Sequence, residues 1–194
     1  MRTFHRVCVY GGSSNAPAAH FREVAKALGT ALARRNIGVV FGGGRVGMMG
    51  AVADAALAGG AEVIGVIPQK LQDLGLGHSG CTTMHMVDSM HTRKRLMADL
   101  SCAFIALPGG WGTLEEIAEA TTWTQLNDHL KPVGLLNHRG YWDALLQWAD
   151  HATDIGFMRP MHRTMLCSEA DPDQLIDALQ QVHIPRIAEW IADP

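Results

Sequence analysis

The sequence predicts an α/β fold, a doubly wound parallel sheet with helices on both faces, and three observations carry that prediction. Short apolar runs alternate along the chain with segments of helical period. The runs are apolar throughout rather than at every second residue, which is the pattern of strands buried on both faces. Several end in glycine-rich turns that lead directly into a helix, the connection a parallel sheet requires. With 194 residues, 47% of them hydrophobic, the chain suffices for one domain, residues 1–194, with a substantial core.

Taken in order, Val7-Cys8-Val9-Tyr10 is the first strand and ends in Gly11-Gly12-Ser13-Ser14-Asn15, after which Ala18 to Arg35 has helical spacing. Ile37-Gly38-Val39-Val40-Phe41 repeats the unit, running through Gly42-Gly43-Gly44-Arg45-Val46-Gly47 into a helix from Met48 to Ala58. A third strand, Glu62-Val63-Ile64-Gly65-Val66-Ile67, is closed by Pro68. The segment from Gln69 to Thr83 is glycine-rich and irregular, as lids and binding loops often are. Met84-His85-Met86-Val87 is a fourth strand, leading to a helix from about Ser89 to Leu100. Cys102-Ala103-Phe104-Ile105-Ala106 is too short for a helix and is bounded by Pro108-Gly109-Gly110, so it reads as a fifth, buried strand. A helix from Leu114 to Leu126 follows, then a sixth strand, Pro132-Val133-Gly134-Leu135-Leu136, and a helix from Tyr141 to Ile155. The last helix, Gln174 to Gln181, starts from Asp171 as cap with Pro172 at its first position.

Composition narrows the function. A formal charge of -3 with scattered basic residues offers no patch to hold a nucleic-acid backbone, so a small-molecule ligand is expected. No apolar run approaches the ~18 residues of a membrane span, and the N-terminus has no long apolar signal core. Cys8, Cys81, Cys102 and Cys167 are far apart, which fits a reducing, cytoplasmic setting. The histidines fall in no ligand spacing, so no metal is expected. Neither G-K-[ST] nor G-x-S-x-G follows any glycine loop, which removes a Walker-type NTPase and the usual serine hydrolase.

Ligands of such sheets lie at the carboxyl ends of the strands, which places three glycine loops (Gly11-Gly12, Gly42-Gly43-Gly44 and Gly109-Gly110) on one rim. In Pro108-Gly109-Gly110-Trp111-Gly112-Thr113 the glycines let a ligand approach the backbone, Thr113 is positioned to cap the helix, and free amides at a helix start favour a phosphate. Glu115 and Glu116 then add acids beside the cradle. The same stretch reads equally as a glycine-rich turn with first-turn glutamates. Gly42-x-Gly44-x-x-Gly47 matches a dinucleotide fingerprint, but the following strand ends Val66-Ile67-Pro68-Gln69 without the acid that would hold a ribose. Met90, Arg93, Met97 and Leu100 share a helix face, so Arg93 interrupts an apolar stripe and either meets a carboxylate or phosphate partner or snorkels from the edge of the core. Lys94 and Arg95 either extend that positive charge or are simply solvated.

Pro108-Gly109-Gly110-Trp111-Gly112-Thr113-Leu114-Glu115-Glu116, taken with Met90-His91-Thr92-Arg93-Lys94, resembles the paired P-G-G-x-G-T-x-x-E and M-H-x-R-K motifs of the Lonely Guy (LOG) family. The similarity extends to Gly47-Met48-Met49-Gly50, Thr122-Trp123-Thr124-Gln125-Leu126 and Lys131-Pro132-Val133-Gly134. These are cytokinin riboside 5'-monophosphate phosphoribohydrolases, often mislabelled lysine decarboxylases. The resemblance implies a Rossmann-like fold and a homodimer with its active site near the subunit interface. It implies hydrolysis of the N-glycosidic bond of a nucleoside 5'-monophosphate, with neither metal nor nicotinamide. Arg93 and Glu116 would be the catalytic pair. Gly109, Gly110, Gly112 and Thr113 would hold the phosphate, and Lys94, Glu115 and Thr122 would contact substrate. One position departs: alignment without gaps places Gly75 where many members carry a glutamate for the base, with Asp73 nearby as an alternative acid. Plain AMP therefore stands beside the isoprenylated nucleotide as an expected substrate.

Cleavage of a ribosyl bond passes through a cation-like sugar, so a carboxylate near C1' stabilises charge present only in the transition state. Glu116 is expected to stay ionised at its helix start. Arg93 cannot donate a proton at neutral pH and instead fixes phosphate or ribose and Glu116. His91 or a water is left to protonate the leaving base. A non-catalytic nucleotide-binding or carrier protein and a nicotinamide oxidoreductase are the alternatives on the same fold.

Overall fold

The computed structural model describes residues 1–191. Its seven strands are β1 (Arg6–Tyr10), β2 (Gly38–Phe41), β3 (Val63–Pro68), β4 (Thr83–Val87), β5 (Ala103–Ala106), β6 (Val133–Leu136) and β7 (Leu166–Glu169). Between and after them run α1 (Ala19–Arg34), α2 (Gly47–Ala58), α3 (Gln69–Asp73), α4 (Met90–Asp99), α5 (Trp111–Gln125), α6 (Asp143–Asp154), α7 (Pro160–Arg163), α8 (Pro172–Gln181) and α9 (Ile187–Ile191). All strand pairs are parallel, in the order β4-β3-β2-β1-β5-β6-β7. The chain starts in the middle, builds outward to β4, then returns to place β5 on the other side of β1. Ligand crevices in open parallel sheets form where the order reverses in this way.

Alternate residues of the five inner strands feed two cores, which is why those strands are apolar throughout, while β4 and β7 at the two sheet edges are only partly buried. Val7, Val9, Val39, Phe41 and Ile105 pack with Leu28 and Leu32 of α1, Val52 of α2, and Leu175 and Leu179 of α8. On the other face Cys8, Tyr10, Val40, Val66 and Phe104 pack with Met97 of α4 and Ile117 and Ala120 of α5. Both faces are covered, as the sequence predicts.

Several elements depart from the sequence reading, among them the short helices α7 and α9, which it does not contain. β7 is a seventh strand where none is expected; Leu-Cys-Ser-Glu lies at the sheet edge, half-buried, and lacks the apolar run that marks the other strands. The segment 69–83 is irregular but opens with the five-residue α3. It is stitched to the second glycine loop: Arg45 N donates to Leu76 O at 3.1 Å, His78 N to Gly43 O at 2.8 Å, and Gly44 and Gly77 form an antiparallel bridge. Finally, the helix expected from Tyr141 is preceded by a 3-10 turn, His138–Gly140, and begins at Asp143.

Candidate active site

Ser89 starts α4, its hydroxyl accepting the Thr92 amide at 3.1 Å. One turn later Arg93 points into the apolar stripe between α4 and the sheet, and the stripe supplies two acceptors. Arg93 Nε donates to the Val66 carbonyl at 3.1 Å and Nη1 to Glu116 Oε1 at 3.1 Å. Each of the two charged residues is 8% exposed. Gly42, at the end of β2, makes room for them, because a Cβ there would overlap the guanidinium. The partner that a buried arginine requires is therefore Glu116 together with a strand carbonyl.

The ionisation of Glu116 differs from expectation. Burial raises its carboxyl to about 7, outweighing the nearby Arg93 charge that pulls it down, and Glu115 pushes in the same direction as burial. Glu116 sits in the second turn of α5, where the helix dipole has largely faded, so desolvation wins.

At the start of α5 the cap is Gly110, with no side chain on the first amides. Thr113 is the third helical residue and not the cap. Its buried side chain packs against Gly109, where a Cβ would overlap the threonine hydroxyl. Trp111, Gly112 and Thr113 thus present amides with no carbonyl one turn back. These features border a cavity of about 560 Å³. Its polar wall consists of Gly11, Gly12, Ser13, Gly42, Gly44, Arg93, Gly110, Gly112, Thr113 and Glu116, and the facing wall of Val46, Met49, Ile67, Leu71 and Leu76. All three glycine loops contribute. The Val66 carbonyl and the apolar wall carry no mark in the sequence, and Gly42, which the sequence offers as part of a glycine loop, has the further role of making room for the guanidinium. Only the glycine-rich character of 69–83 hinted that Leu71 and Leu76 would face a ligand.

The dinucleotide reading fares poorly. At the start of α2 the Gly47 amide already donates to Asn15 Oδ1 at 2.9 Å and the Met48 amide to Gly12 O at 2.9 Å. Glu62 pairs with Arg6 at 2.7 Å, at the opposite end of β3 from the cavity. A pyrophosphate would find neither open amides nor a ribose acid.

Other expected contacts lie off the cavity wall. Lys94 is buried and bonded to Glu115 and, at 3.0 Å, to Glu119, clamping α4 to α5. Burial pulls its ammonium down, but those two carboxylates outweigh it and hold Lys94 above the usual lysine value. Glu119 was not anticipated. Gly109 faces a neighbouring pocket beside Phe21 and Tyr141. Thr122 is exposed farther along α5, donates to Ala118 O at 2.8 Å, and borders a separate groove with Leu114 and Trp148. His91 is exposed on α4, and Gly75 is exposed on the loop. Asp73 accepts from Gln69 Nε2 at 2.7 Å. None of these three lines the cavity.

Comparison with known proteins adds the following. A family model described as "Possible lysine decarboxylase" matches residues 49–179. The rice protein named probable cytokinin riboside 5'-monophosphate phosphoribohydrolase LOGL9 is 46% identical over 92% of this chain and 78% of its own length. Cytokinin riboside 5'-monophosphate phosphoribohydrolase LOG1 of Arabidopsis thaliana is 44% identical over 94% of this chain and 85% of its own. Among solved structures, the molybdenum cofactor carrier protein of Chlamydomonas reinhardtii superposes with a TM-score of 0.68 at 22% identity, over 91% of this chain and 96% of that one. The molybdenum cofactor binding protein of Rippkaea orientalis has a TM-score of 0.68 at 22% identity, over 89% of this chain and 93% of that one. At that identity the structural likeness speaks for the fold alone.

Proposed function

We infer the reaction from one premise: the chain belongs to the Lonely Guy (LOG) family, to which its plant phosphoribohydrolase relatives belong. It is an N-glycosyl hydrolase that releases the base of a nucleoside 5'-monophosphate, a cytokinin riboside monophosphate or AMP, and leaves ribose 5-phosphate. The observation that carries this reading is the buried Arg93–Glu116 pair on the wall of a cavity rimmed by helix-start amides. We place the phosphate on Gly110, Gly112 and Thr113, which sets the sugar toward Glu116. As the C1'–N bond breaks, its electron pair leaves with the base and the Glu116 carboxylate stabilises the cationic sugar. Water adds to C1' and passes its proton to Glu116, and the base takes a proton from solvent. Arg93 orients Glu116, and its guanidinium keeps its own protons throughout.

Lys94 is ill suited to a decarboxylase role. An amine that forms a Schiff base needs a lowered pKa, and Lys94 is held charged between two carboxylates. A carrier protein on this fold accounts for the glycine loops but leaves the buried ion pair without a purpose. Incubation with AMP and with isopentenyladenosine monophosphate, followed by chromatography of the released base, tests the reading. No release at enzyme concentrations near substrate overturns it, and tight nucleotide binding by calorimetry without product would favour the carrier.

We further propose a homodimer with the site near its interface. Trp111 is 86% exposed beside the phosphate loop, and it shares a surface groove with the exposed Trp148. A second copy covering it would bury the groove along Thr122, giving that residue a place near a partner's site. Light scattering measures the mass directly, and a monomer at working concentration counts against it. No helix among the described residues is long and apolar enough to cross a membrane. The four free cysteines support a cytoplasmic setting.

A further inference from the structure

Gly109 and Gly110 share one peptide bond at the border of two spaces. Both line a pocket of about 360 Å³ with Phe21 and Tyr141, and Gly110 also lines the adjoining catalytic cavity. On that second side the Tyr141 hydroxyl donates to the Gly109 carbonyl at 2.5 Å, the short end of the range for such bonds.

The connection after β6 is shaped to deliver this tyrosine. Arg139 and Gly140 take left-handed φ values of 54° and 73°, reversing the chain. Asn137 locks the reversal: its Oδ1 accepts the Trp142 amide at 2.7 Å and its Nδ2 donates to Asp143 Oδ1 at 2.8 Å. The Tyr141 ring is braced edge-on by Trp142 at 5.0 Å and Phe21 at 5.9 Å.

A trans peptide carries its C=O and N–H in opposite directions, and no peptide bond among the described residues is cis. Holding the Gly109 carbonyl toward Tyr141 therefore turns the Gly110 N–H away from Tyr141, and Gly110 is the residue of the pair that lines the catalytic cavity. Between two glycines that peptide has little steric resistance to rotating the other way, which would aim a carbonyl oxygen at an incoming anion. We propose that Tyr141 is a positioning residue for phosphate recognition: its hydroxyl locks the Gly109–Gly110 peptide so that the Gly110 amide faces the substrate's 5'-phosphate. The assignment rests on the phosphate placement proposed above. It adds a determinant contributed by β6–α6, outside both sequence motifs.

Tyr141→Phe removes one oxygen and keeps the ring between Phe21 and Trp142. We expect KM for AMP and the inhibition constant of inorganic phosphate to rise together, by about five- to tenfold, with kcat holding within about twofold. A loss of packing alone would lower Tm without moving the phosphate constant. Unchanged phosphate inhibition in Tyr141→Phe, or a fall in kcat at constant KM, overturns the assignment. The ¹⁵N-labelled wild-type protein gives an independent reading: added phosphate should shift the Gly110 amide proton downfield, and a Gly110 resonance that does not respond also overturns it. The titration needs no turnover. A protein whose Gly110 amide responds but which releases no base would defeat the hydrolase reading and leave the Tyr141 assignment standing.

Discussion

Two arginine–carboxylate clusters in this molecule, alike in chemistry, have opposite effects on their acids. At the surface, Arg34 and Arg35 at the end of α1 grip Asp173 at 2.6 and 2.9 Å, and Arg35 reaches Asp177 at 2.5 Å, tying α1 to α8. The hydrogen bond from Arg34, with help from Arg35, holds the Asp173 carboxyl below its usual value. In the cavity Arg93 meets Glu116 at 3.1 Å, yet the carboxyl rises to about 7. Side chains in the first cluster are 26–62% exposed and those in the second 10%. Water already solvates the surface acid, so its arginines add to a charge that costs little. In the cavity the solvation is gone, and one hydrogen bond does not replace it. Hence an acid can be bonded to arginine and still change protonation near neutrality.

The contrast breaks most completely at Glu116. Glu116→Gln should lower base release by about 10³-fold or more while nucleotide binding by calorimetry largely survives; turnover near wild type would move the chemistry to another group. Next in size, Arg93→Met should cost about 10²-fold in kcat. It also removes the cation that pulls Glu116 down, so the acid limb of the pH–rate profile should move to higher pH, and an unmoved limb would show that Arg93 does not set that ionisation. In the wild type, kcat/KM should rise with pH through about 7, because the working form is the carboxylate. Stability should respond with the opposite sign. A carboxyl whose folded value lies above its unfolded one keeps its proton longer in the folded state, so the Glu116 contribution falls as pH rises from about 4.5 to about 7, by roughly 3 kcal/mol. Denaturant titrations of wild type and Glu116→Gln across that window isolate the effect. Smallest is Asp173→Asn, with a loss of less than about 1 kcal/mol that fades in high salt and leaves base release unchanged. That contribution is present above the unfolded aspartate value and disappears on acidification, the reverse of Glu116.

The features legible in the sequence were those set by local patterning. Five strands stand out because residues feeding two cores alternate along each, leaving no polar interruption, and β4 is legible from its short Met-His-Met-Val run although it is only partly buried. Arg93 was legible for the converse reason, as a charge where the period demands an apolar residue. β7 was not, because an edge strand of Leu-Cys-Ser-Glu buries too little to carry a pattern. The ionisation of Glu116 was misjudged because helix position is visible in a sequence and desolvation is not. The spacing of Thr113 predicts a cap, whereas its contact with Gly109 depends on how closely the loop after β5 turns. The motif placed Lys94 and Glu115 at the site, but they bond mainly to each other and to Glu119, a pairing between helices that no spacing within either one reveals.

Because the chain jumps across β1 between β4 and β5, it divides the reacting groups between two halves. Everything up to Asp99 carries the arginine and two of the glycine loops; everything from Ala103 carries the third loop, the glutamate and the tyrosine. A backbone cut at residues 100–102 therefore yields two pieces, each lacking a necessary group. Base release on mixing them would report that β1 and β5 had zipped together again, making the enzyme a readout of its own reassembly.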